Sequence, residues 1–197
     1  MKDLIWWNEL RNGKQEALSL IYHEHIALLI NYGRKFSRDD QLVEDAVHDL
    51  FVDLWQRHDR LGETDSVIRY LLGSLRRRII RQDQKKKKHI HQDLDPDLYD
   101  FKVDFDVEQL IVSEEMTEER SLKLKKGLEG LSKRQKEAIY LRFQSEMDYD
   151  QVAEIMDINY QSARNLVHQA IKNLRKNIQA LIIMLLASLA LNFYLTN

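Results

Sequence analysis

The stretch from Asp148 to Lys176 constrains the fold most, because two helical periodicities meet there across a gap too short for anything but a turn. Val152, Ala153, Ile155 and Met156 recur at helical spacing, and Asp157-Ile158-Asn159-Tyr160 follows. Ala163, Leu166, Val167, Ala170, Ile171 and Leu174 then mark one face with a 3.6-residue period. The opposite face of that second helix carries Gln161, Ser162, Arg164, Asn165, His168, Gln169, Lys172 and Arg175, and no acid lies between Tyr160 and Lys176. Amides, hydroxyls and cations of this kind hydrogen-bond to base edges and phosphates. The pattern is the sequence form of a helix-turn-helix, whose second helix enters the DNA major groove. An ordinary helical hairpin with a solvated outer face is the alternative, and the acid-free mixture of amides and cations favours DNA over it.

A length of 197 residues suits one large domain or two small ones. With Pro 1, Gly 6 and only short β-branched runs, the chain is expected to be all-α. Cys 0 excludes disulfides and thiolate metal sites and fits a reducing, cytoplasmic setting. The apolar run Leu4-Ile5-Trp6-Trp7 ends at Asn8-Glu9, so no signal peptide is expected. The net charge of −2 suits a nucleic-acid binder poorly, but it averages over strongly segregated charge.

Residues 1–88 read as a first domain. Leu4 to Phe36 forms two helices broken near Asn12-Gly13, with Trp6, Trp7 and Leu10 on the first stripe and Ala17, Leu20, Ile21, Leu28, Leu29 and Tyr32 on the second. The aromatics fall on the apolar stripe and read as core. Ser37 or Asp39 is placed to cap the next helix. Gln41 to His58 is the clearest amphipathic helix, with Leu42, Val43, Ala46, Val47, Leu50, Phe51, Leu54 and Trp55 inward. Its outer face holds Glu44, Asp45, His48, Asp49 and Asp53, either a solvated acidic face or a dock for a basic partner helix. A loop with Gly62 spans Arg57 to Ser66, and Val67 to Asp83 is helical again, with Ile68, Leu71, Leu72, Leu75, Ile79 and Ile80 inward. Arg76, Arg77, Arg78, Arg81, Lys85, Lys86, Lys87 and Lys88 then oppose the single acid Asp83. Part of that run continues from an amphipathic helix, so a polyanion partner is expected, with binding that weakens steeply with salt.

The sign inverts over 89–109, where Asp93, Asp95, Asp97, Asp100, Asp104, Asp106 and Glu108 surround Pro96 and the single base Lys102. This is an acidic linker of marginal order, either a passive tether or a nucleic-acid mimic over a basic groove. His89 and His91 are too weak a pattern for a metal site, so neither metal nor cofactor is expected. Residues 110–177 form a second all-helical domain: a charged helix over Ile111 to Gly130, then Lys133 to Phe143 capped by Ser132, with Ala138, Ile139, Leu141 and Phe143 inward, then the helix-turn-helix.

These residues resemble the extracytoplasmic-function sigma factors, the smallest bacterial transcription initiation factors. The similarity runs from Trp7 to Lys176. It is carried by Trp7-Asn8-Glu9-Leu10, by Glu44 to Trp55, by Tyr70-Leu71-Leu72 followed by Arg76-Arg77-Arg78, by Leu131 to Gln135, and by Tyr149 to Met156. The resemblance implies a sigma factor, not an enzyme, that binds core RNA polymerase and recognises the −35 and −10 promoter elements. Asp45, His48, Asp49 and Asp53 would meet the clamp helices of the largest polymerase subunit. Arg69, Arg76, Arg77, Arg81 and Lys85 would serve the −10 strand, with the Asp59–Ser66 loop capturing bases. Gln161, Ser162, Arg164, Asn165, His168, Gln169 and Lys172 would read the −35 element. An anti-sigma factor is implied as a further partner. Gln161 to Asn165 replaces the family's more usual threonine-valine-lysine-serine-arginine pattern, so no promoter sequence carries over.

The tail at 178–197 departs from the family plan. Ile178 to Leu195 is uncharged but includes Gln179, Ser188 and Asn192, and it sits at the lower bound of length for a membrane span. Packing on the protein or on a partner is favoured over a membrane anchor. The competing function is a stand-alone helix-turn-helix regulator. The acidic helix followed by a basic one suits polymerase and single-stranded DNA better than a sensing domain. No G-x-x-x-x-G-K or H-E-x-x-H pattern supports an enzyme.

Overall fold

The computed structural model describes residues 2–88, 99–102 and 126–176, with described side chains in the first stretch ending at Gln82. The apolar tail, most of the acidic linker, most of the charged 111–130 helix, the Lys85 side chain and the His89/His91 pair lie outside the described residues. All regular structure among the described residues is helical.

The first domain has four helices: α1 (Lys2–Arg11), α2 (Gln15–Arg34), α3 (Asp40–Gln56) and α4 (Val67–Lys88). The break between α1 and α2 turns at Gly13, whose φ of 81° is a conformation glycine adopts without a Cβ penalty. Asp39 caps α3 by accepting from the Leu42 N–H, which resolves the two candidate caps. Ser37 instead accepts from the Asp39 N–H. The core is the expected stripe of each helix: Trp7, Leu10, Ile21, Leu29, Tyr32, Val47, Leu50, Leu54, Leu71, Leu72 and Leu75 are buried. Leu20 was expected inward and is 44% exposed. α2 and α3 approach closely at Gly33, where an added Cβ would stand 2.5 Å from Val43 Cγ1.

The loop after α3 begins with a 3-10 turn at His58–Arg60 and is tied to α1. Trp7 Nε1 donates to the Gly62 carbonyl at 3.0 Å, and Arg11 Nε donates to the Leu61 carbonyl at 3.0 Å. The Trp7 ring also packs on Tyr70 of α4, centroids 4.9 Å apart. The opening helix therefore fixes the loop as well as filling core.

The second domain contains a helical turn at 126–129, α5 (Lys133–Ile139), a π-helical turn (Tyr140–Gln144), α6 (Tyr149–Met156) and α7 (160–176). Ser132 caps α5 in a reciprocal box with Gln135, and Asp148 caps α6 the same way with Gln151. The π turn explains one failed expectation. Its wider winding, closed by Ser145 N–H to the Tyr140 carbonyl, carries Phe143 off the inward face. Phe143 is 48% exposed rather than core.

The two domains are in contact. α4 lies against α6, and an added Cβ at Gly73 would meet the Ile155 Cα at 3.6 Å. The linker enters the same interface: Tyr99 and Phe101 are buried, and the Lys102 N–H donates to the Lys35 carbonyl at 2.6 Å. Tyr32, Phe36, Tyr99, Phe101 and Tyr140 form one aromatic cluster, with the Tyr32 and Tyr140 rings stacked at 5.9 Å. Residues 99–102 are thus a packed strap, in a linker for which a passive tether and a nucleic-acid mimic were both open. Their aromatic side chains offset the ordering entropy that a wholly acidic segment has nothing to oppose.

Candidate nucleic-acid interface

α7 begins where the chain is forced to turn. Asp157 takes a left-handed conformation, φ 55°, which ends α6. Asn159 then starts the next helix, its side-chain oxygen accepting from the Ser162 N–H at 2.8 Å. Ala163, Val167 and Ala170 are buried against the domain. Gln161, Arg164, Asn165, His168, Gln169 and Lys172 are exposed together on the far face, and Ser162 is half-buried beside them. Gln161 Nε2 donates to Asn165 Oδ1 at 3.2 Å, so two amides one turn apart are already mutually oriented. Every residue expected to read duplex DNA thus lies on this helix, on one side, without an acid among them.

The first domain offers a groove of about 520 Å³ between α3, α4 and the loop. Arg57, Tyr70, Arg77 and Arg81 bring cations and a ring to it, while Asp49 and Asp53 stand on its α3 wall. Arg77 and Arg81 are exposed, as a polyanion site requires, and Arg77 is braced by Ser74 Oγ at 3.1 Å. Arg78 also lines the groove but is half-buried and pairs with Asp53 and, at 3.5 Å, with Asp49. Asp53 also takes Arg57 at 3.1 Å. Of the carboxylates and histidine expected to meet polymerase, Asp45, His48 and Asp49 are exposed, whereas Asp53 is half-buried and committed to these two arginines.

Arg69 and Arg76 do not face the groove. Arg69 pairs with Asp65 and, at 2.6 Å, with Glu154 on α6. Arg76 is 8% exposed and forks onto Glu137 of α5, Nε to Oε1 at 2.7 Å and Nη2 to Oε2 at 3.3 Å. Tyr32 donates to the same carboxylate at 2.7 Å, and Tyr99 donates to its other oxygen. Burial and the Glu137 charge both raise the Tyr32 and Tyr99 phenol pKa values. Burial opposes the Arg76 cation, but the Glu137 charge and hydrogen bonds outweigh it and hold its pKa above the ordinary arginine value. Sequence reasoning missed Glu137, although a signal was there: it lies one turn before Leu141 on the inward stripe of α5, a carboxylate where an apolar residue is expected.

The comparisons with known proteins follow the same division. The model of Sigma-70 region 2 matches residues 21–89, and that of Sigma-70 region 4 matches residues 121–174. Together these two regions span more than half of the chain. The chain belongs to the sigma-70 family. Its function is accordingly that of a sigma factor, a transcription initiation factor that binds core RNA polymerase and directs it to promoters. The expected extracytoplasmic-function group agrees with these two regions. Among solved structures, the fold resembles CnrH in complex with the cytosolic domain of CnrY, at 16% identity and a TM-score of 0.59, over 90% of this chain and 97% of that one. It also resembles the sigma factor RpoE from Bartonella quintana, crystallised with the anti-sigma factor NepR, at 20% identity and a TM-score of 0.55, over 84% of this chain and 96% of that one. No curated protein sequence matches the chain. Among the described residues, no helix is long and apolar enough to cross a membrane, and no group of His, Asp and Glu is arranged to hold a metal ion.

Proposed function

We propose that this sigma factor divides promoter recognition between two surfaces. The α7 face, Gln161, Ser162, Arg164, Asn165, His168, Gln169 and Lys172, reads the −35 duplex. The groove between α3 and α4 holds the opened −10 strand, with Arg77 and Arg81 on its phosphates and Lys85 continuing the cationic track. The loop carrying Leu61 and Gly62 takes the bases. Duplex opening is offset by the contacts made to unstacked bases, each about 1–3 kcal/mol. Asp45, His48 and Asp49 dock on the polymerase clamp helices. The protein acts in the cytoplasm as a non-enzymatic subunit, and an anti-sigma factor restrains it, as the paired partners of CnrH and RpoE suggest.

The observation that carries this reading is the acid-free, exposed face of α7, preceded by a turn held in the left-handed region at Asp157. Arg164 on that face is assigned to a phosphate. In polymerase complexes reconstituted with the full chain, Arg164→Ala weakens promoter binding across all −35 sequences and reduces the slope of log affinity against log salt by about one. An unchanged slope removes Arg164 from the phosphate backbone.

A further inference from the structure

One fully buried carboxylate joins four separate segments of the chain. Glu137 of α5 accepts from Tyr32 of α2, from Arg76 of α4 and from Tyr99 of the linker, and its own exposure is 0%. The Arg76 guanidinium also lies over the Tyr99 ring, 5.3 Å from its centroid. A second carboxylate, Glu154 of α6, holds Arg69 one flank away. Both carboxylates come from the −35 domain, and both arginines from the −10 helix. The fork that Glu137 offers Arg76 matches the geometry of a phosphate.

This arrangement is incompatible with simultaneous grip on a promoter. Elements named for positions −35 and −10 lie about 25 base pairs apart, roughly 85 Å of duplex at about 3.4 Å per step. A compact chain of 197 residues is about 40 Å across. With α4 packed on α6 so closely that a Cβ at Gly73 would touch Ile155, the two reading surfaces span only one such body.

We propose that Glu137 is an autoinhibitory latch: its carboxylate occupies Arg76 in place of nucleic acid, holds the two domains closed with Tyr32 and Tyr99, and must release before both promoter elements are engaged. The inference rests on the sigma-factor reading above and adds a closed, inactive state to it. A buried ion pair suits a latch for a physical reason. Its own net contribution relative to two solvated ions is small, so it adds little to the closed state while it is intact. Removing one partner leaves the other charge buried and alone, which shifts the balance strongly. Opening solvates both ions and also parts Tyr32 from Tyr140, so it needs the contacts that polymerase and promoter supply.

The chain has no cysteine, so Glu24→Cys and Glu129→Cys, both at exposed positions, allow two dyes to report the interdomain distance. The wild-type chain alone gives one short-distance population, and core polymerase with promoter DNA converts it to a long one. Glu137→Gln keeps the side-chain shape, removes the charge, and shifts the free chain to the long distance. It also lowers the concentration of chain needed for promoter complexes by about tenfold. Should Glu137→Gln fail to fold, Tyr99→Phe removes one donor to the same carboxylate and is read in the same way. A Glu137→Gln chain that folds and keeps the short distance overturns the latch, as does a wild-type promoter complex that forms with the short distance retained. A chain that never binds core polymerase overturns the sigma reading instead, and the latch is then decided by the Glu137→Gln distance alone.

Discussion

The arginines of α4 show how much a single residue's role depends on what packs over it. Arg76, Arg77, Arg78 and Arg81 look alike in the sequence as part of one basic run, and Arg69 precedes it by two turns. In the structure Arg77 and Arg81 are exposed at the groove, Arg78 is tied to Asp53, and Arg69 and Arg76 reach to the second domain. The helical period separates faces but does not say what covers them, so the exposed pair at the groove was legible only as part of a larger set. The phenols around Glu137 give a testable pH dependence. Their ordinary pKa is 10.0, and burial followed by the Glu137 charge raises it for both Tyr32 and Tyr99. Below that value both phenols are protonated whether the cluster is closed or open, and their contribution is complete. Above it the solvated phenols lose protons that the buried ones keep, so the closed state loses stability as pH rises. An alkaline titration of tyrosinate absorbance should show these phenols ionising only as the interdomain distance lengthens. Ionisation of all eight tyrosines at the ordinary value with the domains still closed would contradict the account.

At the level of elements, periodicity is most informative where caps and stripes act locally. The Gly13 break, the Ser132 cap and the Asp148–Lys176 helix-turn-helix are all set by neighbours in sequence, and all stand where they were expected. Phe143 and Leu20 were misplaced because a π turn and an uncovered stripe edge are not written in a 3.6-residue pattern. Close approach between elements was not legible either. Gly33 sits where α2 meets α3 so tightly that Gly33→Ala must displace Val43, and overpacking of this kind costs about 1–3 kcal/mol against a helix-propensity gain of about 1 kcal/mol. Urea unfolding should show a lower midpoint for the variant, and an unchanged or raised one would mean the helices separate at little cost. The loop after α3, proposed to capture bases, makes a second case. Trp7→Phe keeps an aromatic on Tyr70 but loses the hydrogen bond to the Gly62 carbonyl, worth about 0.5–1.5 kcal/mol. Opening of −10 DNA should weaken several-fold while −35 duplex binding stays as it was. An equal loss at both elements would place the effect in global stability instead.

On the scale of the whole molecule, two small helical domains are each built from their own stripes and then joined through a polar and aromatic interface. The sequence patterns showed the helical stripes and the helix-turn-helix. They did not show that Tyr99 and Phe101, embedded in an acidic segment, would pack between them, because composition averages over single anchoring side chains. Tethering two binding modules makes the second contact intramolecular once the first is made, so neither needs to bind tightly alone. The most direct measurement is transcription by core polymerase from a library of randomised promoters, with and without the full chain. With the chain present, new start sites share two sequence blocks at a fixed separation, one upstream duplex block and one at the melted segment. Transcripts identical to those of core polymerase alone, or a single sequence block, would contradict the account.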